Sequence, residues 1–108
     1  MNIDIKKDTL NIEKTPMVRV TWVDARDMES GWLEIKDIIN APLALCQDVG
    51  WMVTNTDEKV VIMRSFSEEK DAFGKLDQNG GGGTAIPKGW IKKIEYLGVI
   101  YAQTDNHK

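Results

Sequence analysis

The chain has 108 residues, 42% of them apolar, with a formal net charge of −3. This describes one small globular domain and excludes a fully disordered chain. The acidic balance disfavours sequence-independent binding to nucleic acid, which depends on many Lys and Arg contacts to phosphate.

The single cysteine, Cys46, excludes an intrachain disulfide and a thiolate-rich zinc site, and it favours a reducing cytoplasm. Uncharged runs are too short to span a membrane, and the N-terminus lacks an apolar signal core. We therefore expect neither membrane insertion nor secretion.

Residues 1–16 are predicted to form an arm. Ile3 and Ile5, then Leu10 and Ile12, alternate with polar residues, which is typical of an edge strand, but charged residues interrupt the pattern. We expect this arm to be either disordered or folded onto a partner subunit, which makes the sequence compatible with a homo-oligomer.

The segment Met17 to Asp24 is predicted to be a strand. Val18, Val20 and Trp22 fall on one face of it, and this face is expected to be core.

A short helix is predicted after a charged loop at residues 25–30. Trp32, Ile35, Ile38 and Ile39 have the spacing of one side of a helix, with Ser30 as its cap and an end before Pro42. A strand ending at Ile35 followed by one helical turn fits the same pattern.

The next two segments form the hairpin around which the other apolar segments are arranged. The second strand runs from Leu43 to Thr54 and contains Gly50, where a bulge or bend is expected. Residues 55–58 form the turn, and the third strand runs from Lys59 to Phe66. Apolar residues on both faces of the third strand are typical of a central strand or of one that curls around a barrel.

Residues 67–83 are predicted to be a long loop, because they are acidic at first and end in four consecutive glycines. Phe73 and Leu76 are expected to attach the middle of this loop to the body. A short strand at residues 84–86, a single turn at residues 87–90 and a last strand at residues 91–97 complete the pattern.

The sequence as a whole predicts a mainly β fold with one short helix: a small five-stranded SH3-like barrel over residues 17–101, followed by a tail at residues 102–108. Closure of the barrel would remove the exposed edges of so small a sheet. A strongly bent, open antiparallel sheet is the alternative.

The residues that carry chemistry are few. His107, the only histidine, lies in the tail, and Cys46 lies in an apolar strand, where an inert thiol is expected. The glycine run lacks the Lys-Ser/Thr sequence of a phosphate-binding loop. We therefore predict no catalytic residue, no metal ligand and no cofactor, and a protein that is not an enzyme.

Three Gly-Trp pairs, at residues 31–32, 50–51 and 89–90, are the most unusual feature of the sequence. Trp22 and Trp51 are expected in the core. Trp32 and Trp90 are at turns, where a tryptophan serves either the core or a binding surface. The candidate binding residues are Trp32, Arg64, Lys88, Trp90 and Lys92: either tryptophan would stack on a base or a partner, and the cations would meet phosphate.

The order of these motifs is itself informative. Residues 17–97 contain, in order, VTWVDA, a following GW, the VGWMV hairpin, and an Ile-Pro element before IKKIEYL. In this order the motifs resemble those of a group of small, uncharacterised bacteriophage and prophage proteins. The resemblance implies a phage origin and a location in the cytoplasm of the infected bacterium. Its motifs are structural, so it implies no enzyme activity.

Three hypotheses of function follow. The first is a non-enzymatic phage accessory protein that binds and modulates a host or phage protein, for example as an inhibitor of host defence. The second is a protein that sequesters a small nucleotide signal. The third is a nucleic-acid-binding virion or replication accessory protein, which the acidic charge makes the least favoured.

Overall fold

The computed structural model of the chain describes residues 9–28 and 30–98. The predictions for residues 1–8 of the arm, for Glu29 in the charged loop and for the tail lie outside these residues. The elements are, in chain order, a 3₁₀ turn (Ile12–Lys14), β1 (Met17–Asp24), α1 (Ile35–Ile39), β2 (Ala44–Asn55), β3 (Lys59–Met63), β4 (Ser65–Lys70), β5 (Leu76–Gly81), β6 (Thr84–Pro87), a second 3₁₀ turn (Lys88–Trp90) and β7 (Ile91–Gly98).

The strands form two antiparallel sheets. Five strands pair in the order β6-β3-β2-β1-β7, and β4 and β5 form a separate two-stranded hairpin. In the described residues the mainly β class and the one short helix are therefore confirmed, and five of the seven strands form one sheet. The outer strands β6 and β7 do not pair with each other, so residues 9–28 and 30–98 contain no closed barrel.

The core lies on one face of the five-stranded sheet. Alternation in β1 places Val18 and Val20 inward, as predicted, and both are fully buried. Trp22, at the next inward position, packs at the edge of this core. The other buried apolar side chains come from β2, β3 and β6: Met52, Val60, Ile62 and Ile86.

Gly50 lies where β2 changes neighbours. Residues 44–51 of β2 pair with β1, and residues 51–55 pair with β3. A Cβ atom on Gly50 would lie 2.6 Å from the carbonyl oxygen of Met63, a distance that real Cβ atoms do not reach. Glycine is needed here because two backbones approach closely. The register shift occurs between Met52 and Thr54, just after the predicted position.

The third strand and the long loop were predicted wrongly. The strand ends at Met63, and the chain beyond Arg64 leaves the five-stranded sheet to form the β4–β5 hairpin. Its turn is closed by Asp71, whose side chain accepts hydrogen bonds from the backbone N–H groups of Phe73 and Lys75, both at 2.8 Å. Phe73 does not attach the segment to the body, because its side chain is 95% exposed.

The glycine run is part of this hairpin rather than a flexible linker. Gly80 and Gly81 belong to β5 and pair with Phe66 and Ser65. A Cβ atom on Gly80 would overlap the side chain of Met63. The run therefore permits close packing between the hairpin and β3, where the sequence pattern indicated chain freedom.

The helix lies inside the predicted segment, but its surroundings differ from the prediction. Glu34, not Ser30, precedes its first turn, and its side chain makes no capping hydrogen bond. The helix has no buried residue. Within the described ranges, no helix is both long enough and apolar enough to cross a bilayer.

The described part of the arm is attached to the chain's own hairpin. The backbone N–H of Leu10 donates to Gln78 Oε1 at 2.9 Å, and Gln78 Nε2 donates back to the Leu10 carbonyl at 2.8 Å. This reciprocal pair joins the chain before β1 to β5.

Candidate binding surface

Two tryptophans form a stacked pair at the edge of the core. Trp22 faces inward from β1, opposite Ile91 at the start of β7. The 3₁₀ turn just before Ile91 brings Trp90 over it, with ring centroids 6.2 Å apart and an interplanar angle of 16°. Trp90 remains 45% exposed. We call Trp22, Trp90 and the supporting Asp48 the tryptophan ledge.

Asp48 holds this ledge from β2. It pairs directly with Val20 of β1 and therefore shares the core face of the sheet, where a carboxylate must be paired. Its Oδ2 accepts a hydrogen bond from Trp22 Nε1 at 2.7 Å. Its Oδ1 accepts from the Arg64 guanidinium in an ion pair. The indole of Trp22 is thereby fixed in orientation beneath Trp90.

Arg64 joins three parts of the chain. It lies between β3 and β4, and besides Asp48 its guanidinium donates to the carbonyl of Gly82 and to Thr84 Oγ1, the latter at 2.9 Å. Gly82 has a φ of +67°, a conformation that glycine adopts without strain. The geometry gives Arg64 a structural role, because its main donor directions are already used within the protein.

Lys88 is likewise engaged. Its Nζ donates to Asn55 Oδ1 and to the carbonyl of Thr56, the latter at 3.1 Å. Its backbone N–H donates to the carbonyl of Glu58 at 2.9 Å. These bonds fix the 3₁₀ turn that carries Trp90 against the β2–β3 turn.

Lys92 and Trp32 lie apart from these contacts. Lys92 is exposed on β7, and its side chain makes no hydrogen bond or ion pair with any other residue that the structure describes. Trp32 lies in the β1–β2 connection and is fully exposed, with no aromatic contact in the described ranges. Of the five candidate residues, Trp90 and Arg64 therefore meet at one site, through Trp22 and Asp48.

The sequence analysis did not identify Asp48 as a site residue or Trp22 as the support of Trp90. A signal was available: Asp48 interrupts an apolar strand two residues before Gly50, at a position where the alternation requires a core residue. A charge at such a position is expected to have a specific partner. The sequence did not identify Trp22 and Arg64 as those partners, because both are distant along the chain.

The two tryptophans that were expected in the core are half-buried. Trp22 is covered by Trp90, and Trp51 packs edge-on against Phe66 of β4, with centroids 6.5 Å apart and an angle of 62°. The second contact joins the hairpin to the main sheet.

The opposite face of the sheet carries an ion pair. Arg19 donates two hydrogen bonds to the carboxylate of Glu95 on the neighbouring strand β7, at 2.8 and 3.0 Å. The Arg19 hydrogen bonds hold the pKa of Glu95 below its ordinary value of 4.5, and Glu95 raises the pKa of Arg19. Both side chains are partly exposed, which limits what the pair contributes to stability.

The described ranges contain no group of three or more His, Cys, Asp or Glu side chains arranged to hold a metal ion. Cys46 is half-buried, directly opposite Trp22 in β2. The exposed part of the ledge is the apolar ring of Trp90. Comparison of the chain with protein-family models, with curated proteins and with solved structures finds no match.

Proposed function

We propose that this chain is a non-enzymatic accessory protein that binds another protein at the tryptophan ledge. The observation that carries the proposal is the half-exposed indole of Trp90, held on Trp22 by stacking. Tryptophan is among the residues most enriched at the centres of protein interfaces. A ring that is already fixed in place loses little conformational entropy on binding, so it is suited to anchor a partner.

The charges around the ledge favour a protein over a nucleotide. Two of the three cations expected to meet phosphate, Arg64 and Lys88, already donate to oxygen atoms of the protein. A phosphate would have to displace these internal acceptors. Of the three candidate cations, Lys92 is the one whose side chain has no such bond in the described part of the chain. The net charge of −3 opposes a polyanion as well. The exposed ring of Trp90 is the one feature that supports base stacking.

The setting we propose is the cytoplasm of a bacterium infected by a phage, where the partner is a host or phage protein such as a defence factor. The support is the resemblance of residues 17–97 to small phage proteins. For the finer fold, we propose an SH3-like sheet that stays open between β6 and β7. The strand order and the single 3₁₀ turn before the last strand support this proposal.

The test is affinity capture with tagged full-length chain in lysate of the bacterial host, comparing the wild type with Trp90→Ala and Trp90→Phe. Phe73→Ala is the matched control. It also removes an exposed aromatic side chain, but from the β4–β5 turn, which is not part of the ledge. We expect one stoichiometric protein to be retained by the wild type and by Phe73→Ala. We expect it to be reduced in Trp90→Phe and lost in Trp90→Ala, with the affinities then measured by calorimetry on the purified pair.

Equal recovery by Trp90→Ala, or no stoichiometric partner at all, would contradict the proposal. A thermal shift against a panel of nucleotides at millimolar concentration tests the alternative, since a ligand that binds only the folded state raises Tm. Stabilisation by a nucleotide that Trp90→Ala abolishes would replace protein binding with nucleotide sequestration.

A further inference from the structure

Six large apolar side chains are exposed between Trp32, in the connection from β1 to β2, and Leu45, near the start of β2. Trp32 is fully exposed, and Ile39 of α1 is 74% exposed. We call this surface the α1 patch, and it consists of Trp32, Ile35, Ile38, Ile39, Leu43 and Leu45. Exposed apolar patches of this extent mark association surfaces in soluble proteins.

The helix in this patch requires a cover in order to be stable. A five-residue helix has almost no stability of its own in water, because nucleation costs more than so few hydrogen bonds return. Such helices persist by packing an apolar face against another surface, yet α1 has no buried residue and no side-chain cap at its N-terminus. Its apolar spacing is that of a core-facing helix, and the described part of the chain leaves that face in solvent.

The area of the patch matches one side of a protein–protein interface. A fully buried Ile or Leu side chain removes about 60–120 Å² of apolar surface from water, and a Trp side chain about 250 Å². Weighted by their exposure, the six side chains offer about 450–650 Å². A standard interface buries about 800 Å² on each partner, of which roughly 450 Å² is apolar.

We propose that a second copy of this chain covers the α1 patch in a two-fold symmetric dimer. The cover has to be present whenever α1 is helical, and a second copy is the one other molecule that always accompanies the first. The charged groups on α1 and its cap do not oppose self-association, because Lys36 lies between Glu34 and Asp37. In a two-fold contact, Lys36 of each copy can pair with Glu34 or Asp37 of the other copy.

This dimer is independent of the ledge, which uses none of the α1 patch residues. It has a consequence for the proposed function, because each dimer presents two ledges. A partner with two binding sites, or a partner that is itself a dimer, would be held more tightly than by one ledge alone.

Sedimentation equilibrium of the full chain over a wide range of concentrations tests the dimer. We expect the wild type to sediment at twice the chain mass and to dissociate reversibly on dilution. Trp32→Ala is expected to raise the dimer dissociation constant about thirtyfold or more. Ile39→Glu, which places a charge in the patch, is expected to leave only monomer.

Two controls separate this result from loss of folding and from the ledge. Phe73→Ala removes an equally exposed aromatic residue outside the patch, and Trp90→Ala removes the ledge; both are expected to dimerise like the wild type. Because Trp32 and Ile39 are exposed in the monomer, their variants are expected to retain the β-sheet signal of the wild-type circular dichroism spectrum and to lose at most the small contribution of the five-residue α1.

A wild-type chain that stays monomeric at millimolar concentration would overturn the proposal. So would a dimer whose dissociation constant is unchanged by Trp32→Ala, since another surface would then form the interface. An assembly that grows without limit would overturn the two-fold arrangement, because a two-fold contact closes on itself.

Discussion

Trp90 and Trp32 both point into solvent, but the structure supports only one of them. Trp90 stacks on Trp22, which Asp48 holds in turn, and its 3₁₀ turn is fixed by the bonds of Lys88. Trp32 precedes a helix without a buried residue. On the two proposals above, the difference distinguishes an aromatic surface that is preorganised for a separate partner from one that becomes ordered only when its partner covers it.

The largest expected effect is on the sheet beneath the ledge. Gly50→Ala would place a Cβ atom against the Met63 carbonyl, and neither backbone is free to move without breaking the β2–β3 pairing. We expect the free energy of unfolding to fall by about 3 kcal/mol, measured by urea denaturation. Gly89→Ala is the matched control, because its Cβ atom would meet no other atom within 4 Å.

The result for Gly89→Ala is expected to lie within about 0.5 kcal/mol of the wild type. Gly50→Ala with wild-type stability would show that β2 and β3 are not in close contact, and the support of the ledge would then need another explanation.

A smaller effect is expected when the anchor of the ledge is weakened. Asp48→Asn removes the charge that pairs with Arg64 while keeping an oxygen for Trp22 Nε1. We expect a loss of about 1–2 kcal/mol in unfolding free energy and a weaker near-ultraviolet dichroism signal from the tryptophan stack. Trp32→Ala is expected to change neither quantity in the monomer.

The control for this substitution is Asp77→Asn, at an exposed position of β5. If Asp48→Asn and Asp77→Asn have the same small effect, Asp48 does not hold the ledge, and the contrast between the two tryptophans disappears.

The smallest expected effect concerns the Arg19–Glu95 ion pair, on the face of the sheet opposite the core. Because the pKa of Glu95 is lowered in the folded state, its contribution is fully present above the unfolded-state pKa and is lost as the pH falls through the lower folded-state value. Glu95→Gln is therefore expected to be slightly less stable than the wild type at pH 7 and to equal it in strong acid. Thermal unfolding at both pH values measures the difference.

Glu69→Gln, at an exposed position of β4, controls for the general effect of removing one negative charge. A difference between Glu95→Gln and the wild type that persists in strong acid would contradict the ionic origin of the contribution.

Local patterns predicted the parts of the fold that local physics decides. The alternation of Val18 and Val20 fixed β1 with its observed bounds, and Pro87 fixed the turn before β7. The end of β3 was missed because the apolar alternation continues past Met63 to Phe66, whereas the chain changes partner at Arg64. That change depends on Asp48 and Thr84, and neither contact is visible in the sequence near Arg64.

The candidate site was predictable only in part, because its contacts join residues that are distant in the sequence. The turn position of Trp90 was compatible with either the core or a binding surface, and its stacking on Trp22 depends on the pairing of β1 with β7. The spacing of Ile35 and Ile38 predicted a helix, but no sequence pattern states which surface will cover its apolar face. The hairpin turn was detectable, since Asp71 followed by Gly74 is a recognisable turn signal.

The pairing of β1 with both β2 and β7 has a consequence for how the chain is made. β1 leaves the ribosome before either of its two neighbours, and one of them, β7, is the last described strand. At about 5–20 residues per second, translation must continue for several seconds before that neighbour appears. Until then the β7 side of β1 and the indole of Trp22 are uncovered, and the nascent chain exposes this apolar surface throughout the interval.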